Sequence, residues 1–260
     1  MIDFTITVYK KILEAFNQNK YSFQGFKSFL VKPRERVVIM RHDVDRIPGN
    51  ALFLASIENE YKIKSTYFFR IIDDIFKKDI IEMIAKLGHE IGYHYEEVDT
   101  INKKFKGKIS NIKLFEEALE LFEQNLKKFR RIYPVETICM HGSPLSKFDN
   151  KDLWIKKNYR DYKIIGEPYF DIDYSKVAYI TDTGRNWNKQ NINIRDKVNS
   201  TLEFKIKNSF DLIKNIKNFP DKIMMNTHPH RWFPPGLKWA REYIMQNQKN
   251  VIKYFINKNR

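Results

Sequence analysis

Short apolar runs that end in carboxylates or imidazoles recur along this chain, and a stretch of helical periodicity follows most of them. Residues 37–40 read VVIM and lead into RHDVD; residues 65–69 read STYFF, 90–94 EIGYH, 136–141 ETICMH and 222–228 KIMMNTH. Further short strands are expected around 163–166 and 177–182. Continuous apolar runs of this length suit strands buried on both faces. Between them, helices are expected over 51–61, 76–87 (with Gly88 as a C-cap), 112–129, 210–216 and 237–255, and another precedes them at 5–17. Repeated strand–helix alternation implies a parallel sheet covered by helices, either a barrel or an open doubly wound sheet. A single α/β domain is expected over residues 34–260, with residues 1–33 as an N-terminal helical extension.

In parallel α/β folds the C-terminal strand ends meet on one face, where binding and catalytic groups collect. Five of the six histidines, His42, His94, His141, His228 and His230, stand at or just after such ends, as do Asp43, Asp45 and Asp182. A lone histidine there is ordinarily structural, and an aspartate after a strand often caps the next helix. Five polar strand ends in succession instead point to one shared site. Carboxylate oxygen plus imidazole suits Zn²⁺ or a similar divalent ion, which acidifies a water and polarises a carbonyl. A nearby carboxylate and an opposed histidine would serve as base and acid.

The formal net charge of +15 would attract anions. Its lysines are scattered, and the densest run, Lys127 to Arg131, closes a helix whose dipole it complements. No nucleic-acid-binding signature accompanies it, so no nucleic-acid partner is expected. With Cys139 as the only cysteine, no signal peptide in MIDFTITVYKK and no apolar run near the ~20 residues of a membrane span, a cytoplasmic protein is expected. The last helix mixes Ile244, Val251, Ile252, Phe255 and Ile256 with lysines, which leaves peripheral membrane contact open.

At RHDVDR (41–46), STYFFR (65–70), GHEIGYHYEE (88–97), TDTGRNW (181–187) and THPHRW (227–232), the sequence resembles the polysaccharide deacetylases, also called NodB-homology or carbohydrate esterase family 4 proteins. The likeness runs over about residues 36–232 and is greatest to the branch found in surface-polysaccharide biosynthesis clusters. It implies a distorted (β/α) barrel of about seven parallel strands. The implied activity is metal-dependent removal of an acetyl group from an N-acylated sugar; the positive charge and the expected cytoplasmic location point to a sugar-phosphate or lipid-linked precursor.

Carried over motif by motif, the resemblance makes Asp43 the base, Asp45 and His94 metal ligands, and His228 the general acid, with Asp182 tuning it. His89 is the structural histidine of the lead-in. The family's second metal histidine falls four residues after the first, where this chain has Val98. His141 is the expected replacement, Glu97 the local alternative, and a site without tight metal a third option. The family's base-orienting arginine has no clear counterpart; Arg41, Arg70 or Arg185 could stand in, and these are grouped with Trp187 as substrate-side residues. Two rival functions stay open: a catalytically inactive carbohydrate-binding barrel, and a metal-free hydrolase of another C–N bond.

Overall fold

A computed structural model describes residues 2–187, 194–202 and 204–258, without the side chains of Ile256 and Asn257. Its seven strands are β1 Ser22–Gln24, β2 Val37–Val44, β3 Thr66–Phe69, β4 Glu90–Tyr95, β5 Ile138–Met140, β6 Ala178–Thr181 and β7 Lys222–Thr227. All pair in parallel, in the order β5-β4-β3-β2-β7-β6, with β1 beside the first half of β2. The outer strands β5 and β6 do not pair with each other among the described residues, so the sheet is a curled, incompletely closed barrel. This is the α/β distorted barrel that the strand–helix alternation and the motifs led us to expect.

The helices are α1 Ile6–Gln18, α2 Phe26–Val31, α3 Pro48–Glu60, α4 Lys78–Lys86, α5 Glu97–Lys104, α6 Asn111–Arg130, α7 Pro168–Asp171, α8 Ser209–Asn215 and α9 Leu237–Lys258. Strand β2 explains why the apolar runs are continuous. It lies between β3 and β7, and all eight of its residues are buried. Each apolar side chain so covered contributes roughly 1.5–3 kcal/mol. Strand geometry sends alternate residues to opposite faces. Val38 and Met40 join α1 in one cluster, while Ile39 packs inside the barrel with Phe68, Cys139, Tyr179 and Met224. Gly92 on β4 makes room for that interior, since a Cβ there would lie 2.3 Å from the Phe68 ring.

Two expectations need correction. Within residues 2–33, expected as an appended extension, β1 extends the sheet, and Val8, Tyr9, Ile12 and Phe16 of α1 are buried in the core. Residues 163–166 form no strand. Gly166 makes a single bridge to Thr137, and Pro168 then opens the short α7.

Candidate active site

The alternation that places Ile39 inside the barrel also carries Arg41 and Asp43 inward, and sends His42 out. His42 leaves the site for α3, where its Nε2 lies 2.7 Å from Glu58 Oε1. Ser65 and Tyr67 hydroxyls donate to the other Glu58 oxygen, both at 2.7 Å. His89 also packs there, its Nε2 3.0 Å from the Ala55 carbonyl. Burial disfavours the Glu58 carboxylate, but His42 beside it outweighs this and holds its pKa at about 2. This buried network sits behind the sheet.

Inside the barrel, the ends of β2, β4, β5 and β7 bring the remaining groups together. His94 Nε2 lies 3.3 Å from Asp45 Oδ1 and 3.9 Å from Asp43 Oδ2. His141 Nε2 lies 3.7 Å from Asp45 Oδ1, and His228 Nε2 3.7 Å from Asp45 Oδ2. One ligand atom each from Asp45, His94 and His141 falls within 4.8 Å of the others.

These three residues suit a divalent ion on their own chemistry. Among the described residues, no donor meets buried Asp45 Oδ1 in hydrogen-bond geometry; its neighbour is His94 Nε2, at 3.3 Å. The Cys139 carbonyl can only accept, so His94 Nδ1–H donates to it at 2.9 Å and directs Nε2 toward Asp45. His141 Nδ1 lies 3.3 Å from Glu96 Oε2, an ion-pair distance short of hydrogen-bond geometry, which sets the carboxylate beside the ring as second-layer partners of metal-binding histidines are. Burial opposes a charged His94, yet Asp43 and then Asp45 outweigh it and raise its pKa; the pocket favours positive charge. Asp43, His94 and Cys139 form a second grouping of this kind. It suits an ion less well: burial pushes the Cys139 thiol well up, and both Asp43 oxygens are already engaged.

Asp43 is held by Arg41 through two hydrogen bonds, and Asn226 Nδ2 donates to its Oδ2 at 3.1 Å. Burial alone would raise its carboxyl, but the Arg41 guanidinium and His94 bring it to about 2. His228 is held from behind. Its Nδ1 donates to Asp182 Oδ1 at 2.6 Å, leaving Nε2 on the site side. Asp182 also accepts from Arg231 Nη1 at 2.7 Å and Trp232 Nε1 at 2.9 Å. Burial would raise the Asp182 carboxyl, but Arg231 and His228 drive it far below the usual carboxylate range.

The other sequence-assigned residues take different places. Arg41 is fully buried and reaches Asp43, so it positions that carboxylate rather than meeting a substrate. Arg70 clamps Glu96 through Nε and Nη2 at 2.9 and 2.6 Å, and donates to the Asp45 carbonyl at 3.3 Å. Arg185 sits under α9, its guanidinium 4.8 Å from the Trp239 ring centre and 5.3 Å from that of Phe4. Trp187 is 1% exposed, stacked on Phe4, with its Nε1 donating to Ser209; it offers no face to a sugar. Val98 is core, and Glu97 turns away from His94 to the Tyr93 hydroxyl and Asn125. His230 is buried, and burial followed by Arg231 keeps its pKa well below normal.

Glu96, Asn226 and Arg231 escaped the sequence reading. Asn226 had a usable signal, since it stands two residues before His228, whose backbone continues the strand in extended form, and so shares its face. Arg231 is brought back to His228 by a single 3-10 turn at Pro229–Arg231.

No protein-family model matches the chain, and no curated protein does. Among solved structures, the chain is similar to the Xyl-CE4 domain of a multidomain xylanase from the hindgut metagenome of Trinervitermes trinervoides. The two are 12% identical, with 84% of this chain and 82% of that one covered, at a TM-score of 0.39.

Proposed function

We propose that this protein is a metal-dependent hydrolase that removes an acyl group from an N-acylated sugar. The observation that carries this reading is the convergence of Asp45, His94 and His141 into one ligand-sized cluster, with Asp43 and His228 each within 4 Å of a member. Asp45, His94 and His141 would hold a divalent ion, zinc by the mix of oxygen and imidazole donors. When bound, such an ion lowers the pKa of a water and polarises the acyl carbonyl.

Asp43 takes the proton of the attacking water. Arg41 and Asn226 keep the carboxylate ionised and fix its direction. A base with a pKa of about 2 is weak, so it depends on an acidified water. As the new C–O bond forms and the C–N bond breaks, His228 Nε2 delivers a proton to the departing amine. Asp182 supports the charge that His228 carries before delivery. Asp43 then releases the proton it took and His228 recovers one, so that over a turnover water supplies the hydroxyl of the acid product and a proton of the amine.

The sequence resemblance supports an acetylated sugar, and the chain's positive charge suits a phosphorylated or lipid-linked precursor of a surface polysaccharide in the cytoplasm. No described helix is long and apolar enough to cross a membrane. The test is metal content and deacetylation of N-acetylated sugars and sugar nucleotides, in wild type and Asp43→Asn. About one equivalent of zinc in both proteins, with turnover in wild type alone, supports the reading. Wild-type turnover that survives in Asp43→Asn rejects the base, and a wild type that takes up no metal rejects the metal-dependent mechanism.

A further inference from the structure

Helix α9 closes over the strand-end face, and its two sides are chemically unlike. The inner side is polar and buried: Glu242 and Gln246 are 4% and 3% exposed. Asn250 Nδ2 donates to the Gly184 carbonyl at 2.8 Å, and a Cβ at Gly184 would lie 2.9 Å from Asn250 Oδ1, so the helix approaches closely there. The outer side carries Ile244, Val251, Ile252 and Phe255, each between 57% and 59% exposed. Residues 244, 251 and 255 are spaced by seven and four, which places them on one stripe of the helix; the side chain of Ile256 lies outside the described residues. Packing on the barrel therefore accounts for one side of α9 and leaves an apolar stripe facing outward.

We propose that this outer side is a docking surface for a membrane rich in anionic phospholipid. Charge selects the occupant. Glu242, the only carboxylate of α9, is turned inward, whereas Lys238, Arg241 and Lys258 are exposed. A second copy of this chain would bring like charges together with no exposed acid on the helix to pair them. An anionic lipid surface accepts the apolar stripe at the headgroup boundary and attracts the flanking cations. The helix lies on that surface and does not span it, because it is too polar to cross. Because α9 borders the strand ends, docking would hold the candidate site close to the lipid. This inference stands on the surface alone and does not depend on the hydrolase reading.

The experiment is co-sedimentation of the full chain with phosphatidylcholine vesicles, with and without roughly a quarter of phosphatidylglycerol. Wild type is expected to sediment with the anionic vesicles and to be released by high salt. The triple variant Val251→Ser, Ile252→Ser, Phe255→Ser is expected to bind roughly tenfold more weakly. Its exposed positions leave the fold intact, checked by an unchanged thermal melt. Wild type that stays in the supernatant overturns the proposal. So does a variant that binds equally well, which would place attraction in scattered lysines, or a wild-type dimer that the same substitutions dissociate.

Discussion

The Arg41 guanidinium closes on both oxygens of Asp43, two residues further along the same strand, at 2.9 Å from Nε and 2.8 Å from Nη2. Both side chains are buried. Removing one partner of such a pair strands a charge in the interior. Arg41→Met is therefore expected to cost roughly 3–5 kcal/mol of stability. Asp43→Asn added to it should recover part of the loss, because no lone carboxylate remains. Urea unfolding of the two single variants and the double variant measures this; strictly additive losses would show that the pair is not coupled.

Adjacent glutamates are expected to behave differently toward metal. Glu96 faces His141 and is clamped by Arg70, whereas Glu97 is committed to Asn125 and the Tyr93 hydroxyl. Glu96→Gln should weaken zinc binding roughly 10–100-fold by loosening the histidine it orients. Glu97→Gln should leave zinc affinity unchanged. Competition against a chromophoric chelator separates them, and a matching loss in both variants would contradict the placement of Glu97.

The contrast shows what the sequence could and could not reveal. Strand ends are legible, because a run such as VVIM stops where polar residues begin, and parallel topology gathers those ends on one face. Asp43, Asp45, His94, His141 and His228 were picked out by that rule together with the motif resemblance. Facing is read from parity, and parity separates His42 from its neighbours Arg41 and Asp43. What stayed hidden depends on packing between distant segments. Nothing local shows that Arg185 is covered by Trp239, or that Trp187 is sealed behind Phe4. Strand β1 was missed because Ser22–Gln24 is three residues with a single apolar side chain, too short a run to read; it is a strand because β2 offers it an edge.

His228 depends on Asp182 for its orientation, and Asp182 in turn accepts from Arg231 and Trp232. Asp182→Asn keeps the shape but removes the charge that supports a protonated imidazole. Under the proposed mechanism, kcat should fall roughly 10²–10⁴-fold while zinc content and KM stay near wild type. A loss of zinc with this substitution would instead assign Asp182 to the metal site.

Glu97 gives the fold a pH dependence whose sign is fixed. Burial pushes its carboxyl up from 4.5 to about 7, against the opposing hydrogen bond from Asn125. The folded chain therefore holds this proton more tightly than the unfolded chain does. The resulting stabilisation is complete below the unfolded pKa and is lost as pH rises to about 7. Its full size is on the order of 3 kcal/mol for a group this buried. Glu167, also raised to about 7 by burial, acts in the same direction. Glu97→Gln removes the contribution of Glu97 alone. The stability of wild type minus that of Glu97→Gln is thus expected to decline between about pH 5 and pH 8, measured by urea unfolding at each pH. A difference that stays flat over that range would mean that Glu97 ionises as it does in water, and that its pocket with Tyr93 and Asn125 is open to solvent.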